Sequence, residues 1–79
     1  MAVTLVFLGR LEDVAGTAAH EGAAGPVSAL IAALEPELAR AVTADRIRLA
    51  VNGRLVADRR ALVLADGDEL AFLPPVSGG

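Results

Sequence analysis

Residues 66–79, DGDELAFLPPVSGG, contain the signals that decide the fold. The DGD at residues 66–68 consists of residue types that favour a tight turn. Residues 69–73 then have the composition of a strand, which Pro74 and Pro75 must end because proline cannot donate a ladder hydrogen bond. The stretch therefore predicts a turn followed by the last strand of a sheet.

A hairpin precedes this strand in the sequence. Residues 47–51 alternate in polarity, and Asn52-Gly53 is a pair that two-residue hairpin turns prefer. A further strand is predicted at residues 3–8, where β-branched, leucine and phenylalanine residues run up to a glycine. The two faces of that strand carry Val3, Leu5 and Phe7 on one side and Val6 and Leu8 on the other.

Helical patterns lie between these strands. Residues 26–34 have apolar side chains at the spacing of an amphipathic helix, and Pro36 should end or kink that helix, with a further turn predicted at residues 38–42. Residues 10–16 predict one or two helical turns closed by a glycine, and residues 17–25 predict at most a short strand. The element order predicts an α+β domain in which a sheet packs on one main helix.

Composition excludes several classes of protein. Seventy-nine residues allow one small domain, and a hydrophobic fraction of 54% excludes a disordered chain. The chain has no cysteine, a single histidine (His20) and no lysine, since all seven basic residues are arginine. It therefore lacks disulfides, cysteine and lysine nucleophiles and multi-histidine metal sites, which argues against an independent enzyme and against a metal centre.

Charge and hydropathy limit the classes of partner that the chain can bind. The formal net charge of −3 argues against nucleic-acid binding, which needs a basic surface. We interpret the five arginines within residues 46–60 as solvated strand edges and loops, with contact to an acidic protein or a phosphate as the alternative. The apolar run at residues 2–8 is far shorter than the ~20 residues that span a bilayer. We expect a cytoplasmic protein with neither nucleic acid nor a membrane as partner.

The chain ends in a predicted arm. Consecutive prolines favour an extended polyproline conformation, so residues 74–79 should project as a C-terminal tail from a domain that spans residues 1–73. Gly78 and Gly79 have no β-carbon, which lets the backbone enter a narrow channel and leaves the terminal carboxylate open. The tail is therefore the predicted functional site.

The FLPPVSGG ending at residues 72–79, the DGDEL turn at residues 66–70 and the VNG hairpin at residues 51–53 together resemble the small, ubiquitin-like sulfur-carrier subunits of molybdopterin synthase. The resemblance spans nearly the whole chain in length and element order. It implies a β-grasp (ubiquitin-like) fold with a mixed four- to five-stranded sheet. DGDEL and VNG are widespread among ubiquitin-like sulfur carriers, whereas the proline-proline ending indicates the molybdopterin branch.

The resemblance also implies a chemistry located on Gly79. A separate ubiquitin-activating-like adenylyltransferase would use ATP and magnesium to adenylate the terminal carboxylate, and a sulfur donor would convert the adenylate to a thiocarboxylate. The large subunit of the synthase, in a complex of two large and two small subunits, would pass the sulfur to cyclic pyranopterin monophosphate. No cofactor would be bound permanently to this chain. Pro74, Pro75, Val76, Ser77 and Gly78 would enter the partner's channel, and Phe7, Leu55, Phe72 and Leu73 would contact its surface.

Three alternatives stay open at the level of sequence. The chain could carry sulfur for thiazole, cysteine or transfer-RNA thiolation, since those carriers need the same tail. It could be a ubiquitin-like modifier joined to lysines of other proteins, or a β-grasp binding module with an incidental glycine tail. For Phe7 and Phe72, burial in a thin aliphatic core is the alternative to a contact role.

Overall fold

The computed structural model describes residues 2–75 and contains short helices and strands in the order that the sequence predicts, with three additional short elements. The additional elements are β3, β6 and a 3₁₀ turn at Arg59–Ala61. The strands are β1 (Val3–Phe7), β2 (Ala19–Gly22), β3 (Gly25–Pro26), β4 (Arg48–Val51), β5 (Arg54–Leu55), β6 (Val63–Leu64) and β7 (Glu69–Leu73), and the α-helices are α1 (Arg10–Ala15), α2 (Val27–Ala32) and α3 (Pro36–Val42).

Five strands form one mixed sheet in the order β2-β1-β7-β4-β5. β1 and β7 pair in parallel at its centre, and the other neighbours are antiparallel. β3 and β6 form a separate two-stranded ribbon. The weakly patterned residues 17–25 do contain a short strand, β2, which pairs with β1 at the edge of the main sheet. The predicted mixed sheet of four to five strands is confirmed.

The register brings the larger apolar side chains onto one face of the sheet. Phe72 lies opposite Phe7 on one neighbour and Leu49 on the other. The two phenylalanine rings stack with centroids 5.5 Å apart and an interplanar angle of 6°. Leu5 and Leu70 form the next row on the same face. The helices cover this face with Leu11, Val27, Leu30, Leu38 and Val42, which complete the core with the strand residues.

The predicted main helix is followed by a second, separate helix. α2 ends at Ala32, and α3 begins at Pro36 after an extended Glu35 with φ −60° and ψ 147°. Proline disfavours the helical region for the residue before it, so the apolar pattern of residues 27–42 divides into two helices. Both are packed on the sheet, where one main helix was expected. The predicted glycine end of α1 is confirmed, because Gly16 is left-handed and donates its N–H to the Glu12 carbonyl at 2.9 Å.

The two predicted turns are hydrogen-bonded to each other. Asn52 and Gly53 have positive φ values of 50° and 86°, as a primed hairpin turn requires. The Asn52 amide donates to a carboxylate oxygen of Asp68 at 3.0 Å, and its side-chain oxygen accepts from the Glu69 N–H at 2.9 Å. The other Asp68 carboxylate oxygen accepts from the Ala65 N–H at 2.9 Å. We call this group of four residues the turn clasp.

The turn clasp makes stability depend on the ionisation of Asp68. The hydrogen bond from the Ala65 backbone, and then that from the Asn52 amide, hold the pKa of the Asp68 carboxyl below its ordinary value of 3.8. A carboxyl with a lowered folded-state pKa contributes stability above its unfolded-state pKa and loses it as the pH falls through the folded-state value. The clasp should therefore weaken only below about pH 3.8.

We predict that Asp68→Asn is less stable than the wild type at pH 7 and that this gap narrows as the pH is lowered below 3.8. The measurement is the free energy of unfolding from urea titrations at a series of pH values. Asp66→Asn is the matched control, because within residues 2–75 the Asp66 side chain accepts no hydrogen bond. A gap between Asp68→Asn and wild type that is unchanged across this range would contradict the role given to the carboxylate.

Candidate functional site

The site is the C-terminal end of the central strand β7, from which the chain end departs. β7 ends at Leu73, Pro74 is half-buried, and Pro75 is exposed. The predictions made for Val76, Ser77, Gly78 and Gly79 lie outside the described residues. The structure therefore describes the first two tail residues, Pro74 and Pro75, which we call the tail root, and the surfaces beside them.

Pro74 packs directly over the backbone of Gly9. Gly9 has φ 57° and ψ −134°, and a β-carbon at this position would lie 3.0 Å from Cγ of Pro74. Just before this contact, the Leu8 N–H donates to the Phe72 carbonyl at 3.4 Å. The central strand pair is thus held together up to the point where the tail separates from it.

A cleft of about 370 Å³ adjoins this root. Pro74 and Pro75 form part of its lining together with Leu11 and Val14 of α1. Arg10 and Arg46 also line it, and within residues 2–75 neither guanidinium has a carboxylate within 4 Å. Asp45 lines the same cleft, so the tail root has apolar neighbours and charged neighbours of both signs.

The face of the sheet opposite the helices is open and has an apolar middle row. This row crosses all five strands, and its residues are directly opposite one another. It ends at Leu55, whose exposed fraction is 70%. The members of the row, in order across the sheet, are Ala19, Val6, Ala71, Ala50 and Leu55. We call this row, together with Leu73 and Leu8 on its tail side, the open face.

The rows on the two sides of the apolar middle row differ in polarity and charge. On the side away from the tail, Thr4 lies between Glu21 and Glu69, so that the neighbouring row is polar and acidic. On the tail side, Leu73 lies opposite Arg48. The apolar row therefore meets the tail root beside a cation, while its far side is bounded by carboxylates.

The structure separates the four predicted contact residues into two pairs. Leu55 is exposed and Leu73 is half-buried on the open face, so both are accessible. Phe7 and Phe72 are only 1% and 0% exposed, and their predicted contact role is wrong because stacked core rings cannot reach a partner's surface. Val6, which the sequence analysis did not select, lies on the open face, and the alternation of β1 was the signal for it.

The arginines of residues 46–60 have different environments. Arg59 donates to the carbonyl oxygens of Val42 and Thr43 at 3.3 and 3.1 Å and so satisfies the C-terminal end of α3. Arg60 is 3.5 Å from Asp58, the single ion pair among residues 2–75.

Throughout the described residues, no group of three or more potential ligands is placed to hold a metal ion. No helix among them has the length and apolarity needed to cross a membrane.

Comparisons with known proteins identify relatives of the whole chain. The ThiS family matches residues 5–79. The molybdopterin synthase sulfur carrier subunit of Escherichia coli (strain K12) is 38% identical over 82 residues, covering 98% of this chain and 99% of that protein.

Solved structures share the fold. SAMP1, small archaeal modifier protein 1, from Haloferax volcanii has a TM-score of 0.78 and 30% identity and covers 100% of both chains. A complex of subunits 1 and 2 of molybdopterin-converting factor from Helicobacter pylori 26695 contains a similar chain, with a TM-score of 0.71, 24% identity and complete coverage of both. At that identity the likeness shows the fold alone. The predicted β-grasp fold is confirmed.

The division between core and open face predicts different effects for two substitutions. Leu55→Ala should change the free energy of unfolding by no more than about 0.5 kcal/mol, because its side chain is mostly exposed. Phe72→Leu should lower it by roughly 1–2 kcal/mol, because the aromatic pair is lost and packing is incomplete. Urea unfolding of both variants under identical conditions measures the difference. A greater loss for Leu55→Ala than for Phe72→Leu would refute the assignment.

Proposed function

The chain belongs to the ThiS family of sulfur carriers, and we propose that it is the sulfur-carrier subunit of molybdopterin synthase, with the terminal carboxylate of Gly79 as the carrier group. The observation that supports this most strongly is the 38% identity, over nearly the full length of both chains, to the Escherichia coli subunit of that name. The Pro-Pro-Val-Ser-Gly-Gly ending, which the sequence analysis connects with the molybdopterin branch, supports the same assignment.

The proposed chemistry begins with activation of the tail. A terminal carboxylate has a pKa near ~3.5, is ionised at pH 7 and is a poor electrophile. In the first step a carboxylate oxygen of Gly79 attacks the α-phosphorus of ATP, held with magnesium on a separate adenylyltransferase, and pyrophosphate leaves. A sulfur nucleophile then attacks the acyl carbon and expels AMP, which leaves a thiocarboxylate. In this scheme the adenylyltransferase holds ATP and magnesium, and this chain holds no resident cofactor.

The second stage delivers the sulfur. The thiocarboxylate of Gly79 would enter a channel of the synthase's large subunit, where its sulfur would form a bond to a carbon of cyclic pyranopterin monophosphate while the C–O bond at that carbon breaks and its oxygen substituent leaves. Water then releases the tail as a carboxylate, so that the carrier is regenerated without being oxidised or reduced. Two such deliveries supply the two sulfurs of a dithiolene. The general base and the phosphate-binding groups belong to the partner in this scheme.

The domain contributes docking rather than catalysis. The open face ends beside the tail root, so a partner that binds Leu55, Val6 and Leu73 would be placed next to the departing chain. Interfaces of this kind depend on a few buried apolar anchors surrounded by polar residues. The acidic row at Glu21 and Glu69 would form part of such a polar surround.

A second candidate function is modification of other proteins. It is favoured by the likeness to a small archaeal modifier protein, at 30% identity and a TM-score of 0.78. A modifier would use the same adenylation, but a lysine amine of a target protein would then attack the acyl carbon and form an amide. The two functions therefore differ in the nucleophile that receives the activated tail.

The test of the carrier function is the intact mass of the protein after incubation with its adenylyltransferase, ATP, magnesium and a sulfide source. We expect the mass gain that corresponds to replacement of one oxygen by sulfur. A variant that lacks Gly78 and Gly79 should show no gain, because the reactive carboxylate is no longer presented on a glycine pair.

An unchanged mass with an adenylyltransferase that demonstrably releases pyrophosphate would refute the carrier function. The thiocarboxylate form, mixed with the large subunit and cyclic pyranopterin monophosphate, should return to its original mass as the pterin gains sulfur. Amide-linked conjugates on partner lysines in place of the thiocarboxylate would favour the modifier function.

The docking role predicts that Leu55→Asp weakens association with the large subunit at least about tenfold, because a carboxylate would be desolvated in an apolar interface. Val63→Asp is the matched control, since Val63 is 66% exposed, close to the 70% of Leu55, but lies on β6 in the separate ribbon. Calorimetric titration measures both dissociation constants. Equal weakening by the two substitutions would contradict docking through the open face.

A further inference from the structure

Within residues 2–75, Pro74 and Pro75 take part in no backbone hydrogen bond. Pro74 and Pro75 have no N–H to donate. Among the described residues, the last main-chain contact between β1 and β7 is the hydrogen bond from the Leu8 N–H to the Phe72 carbonyl. Beyond it the two strands separate, and Gly9 begins the turn into α1.

The Pro74 ring lies beside Gly9, next to that hydrogen bond. The Pro74 ring occupies the space that a side chain at residue 9 would need, with Cγ 3.0 Å and Cδ 4.0 Å from an ideal β-carbon there. Pro74 is half-buried, while Pro75 is exposed. A β-carbon at residue 9 would therefore require the Pro74 ring to shift.

The backbone of Gly9 adds a second requirement for glycine. Its φ of 57° is combined with a ψ of −134°, outside the left-handed region that other residues can enter, where ψ is about +30 to +60°. Gly16 at the other end of α1 provides a contrast, because its φ is 76°, its ψ is 6°, and a β-carbon there would meet nothing within 4 Å. Only at Gly9 do the conformation and the close approach to the tail root coincide within α1 and its caps.

We infer that Gly9 is a positioning residue for activation of the C-terminus: the space above it seats Pro74 and so aims the chain end at the partner's channel. This inference rests on the proposed function, because the exit direction has a chemical consequence only if the terminus reacts. A tail that leaves the domain in several directions is competent for entry only part of the time. The apparent affinity for the activating enzyme falls by that fraction, while the rate of the bound complex does not.

The experiment is steady-state adenylation of the full chain by its adenylyltransferase, measured as pyrophosphate release, with the carrier as the varied substrate. Gly9→Ala should raise KM for the carrier by about fivefold to tenfold and leave kcat within about twofold, because fewer chains are competent at any moment. Pro74→Ala removes the seated ring without altering Gly9 and should raise KM in the same direction. Gly16→Ala should leave KM within about twofold of the wild type, although it also introduces a side chain at positive φ.

The double variant Gly9→Ala/Pro74→Ala separates the contact from backbone strain. If packing of the Pro74 ring against Gly9 causes the rise in KM, the KM of the double variant should be no higher than that of the worse single variant, since both substitutions remove the same interaction. Multiplied effects in the double variant, a KM for Pro74→Ala equal to that of the wild type, or an equal rise in Gly16→Ala would overturn the inference. Should Gly9→Ala fail to fold by circular dichroism, Pro74→Ala is compared with Pro75→Ala, whose exposed ring belongs to the same tail but does not lie near Gly9: a larger rise in KM for Pro74→Ala supports the inference, and an equal rise overturns it. A wild-type chain that releases no pyrophosphate refutes the proposed function and this inference together, whereas an active wild type with unaffected variants refutes this inference alone.

Discussion

The parallel pairing of β1 with β7 is the constraint on which the rest of the structure depends. It places the first and last strands side by side at the centre of the sheet, in a register from Thr4 opposite Glu69 to Phe7 opposite Phe72. A parallel pair needs a long crossover, and the helices supply it on one face. A shift of one residue in either strand would move its phenylalanine to the open face and separate the stacked rings. Core, open face and tail root are therefore all set by one register.

The sequence predicts those parts of this arrangement whose signals are local. Asn52-Gly53, the DGD turn and the strand Glu69–Leu73 ended by prolines depend on backbone preferences of the residues themselves, and the structure places each where it was predicted. The two-residue strands Gly25–Pro26 and Val63–Leu64 were not predicted, because each exists only through its pairing with the other across a long stretch of chain. The separation of α2 from α3 was only partly predicted. Pro36 predicts an end or kink just before it, whereas α2 already ends at Ala32.

For the predicted contact residues, the structure tests accessibility. Leu55 and Leu73 are accessible as expected, whereas both phenylalanines belong to the core. Alternation along β1 and β7 assigns each phenylalanine to the same face as the leucine two residues before it, but the sequence does not say which face the helices cover. With two aromatics in the whole chain, the core needs both rings. The clasp between Asn52 and Asp68 and the contact between Gly9 and Pro74 join residues far apart in sequence, so no local pattern could predict them.

On the proposed function, the composition of the open face would suit a carrier that binds its partners one after another. Its middle row contains three alanines, so the apolar surface of the open face is concentrated in Val6 and Leu55 of that row and in Leu8 and Leu73 beside it. A small interface of this type associates reversibly, whereas permanent complexes bury larger and more hydrophobic areas. The absence of lysine fits the same role, since an activated Gly79 cannot be consumed by a side-chain amine on another copy of the chain. Arginine retains the cationic surface but remains protonated at neutral pH and is therefore no nucleophile. On the proposed function, the arginines would provide positive charge for recognition. The nucleophile that attacks the activated carbonyl of Gly79 would come from a partner.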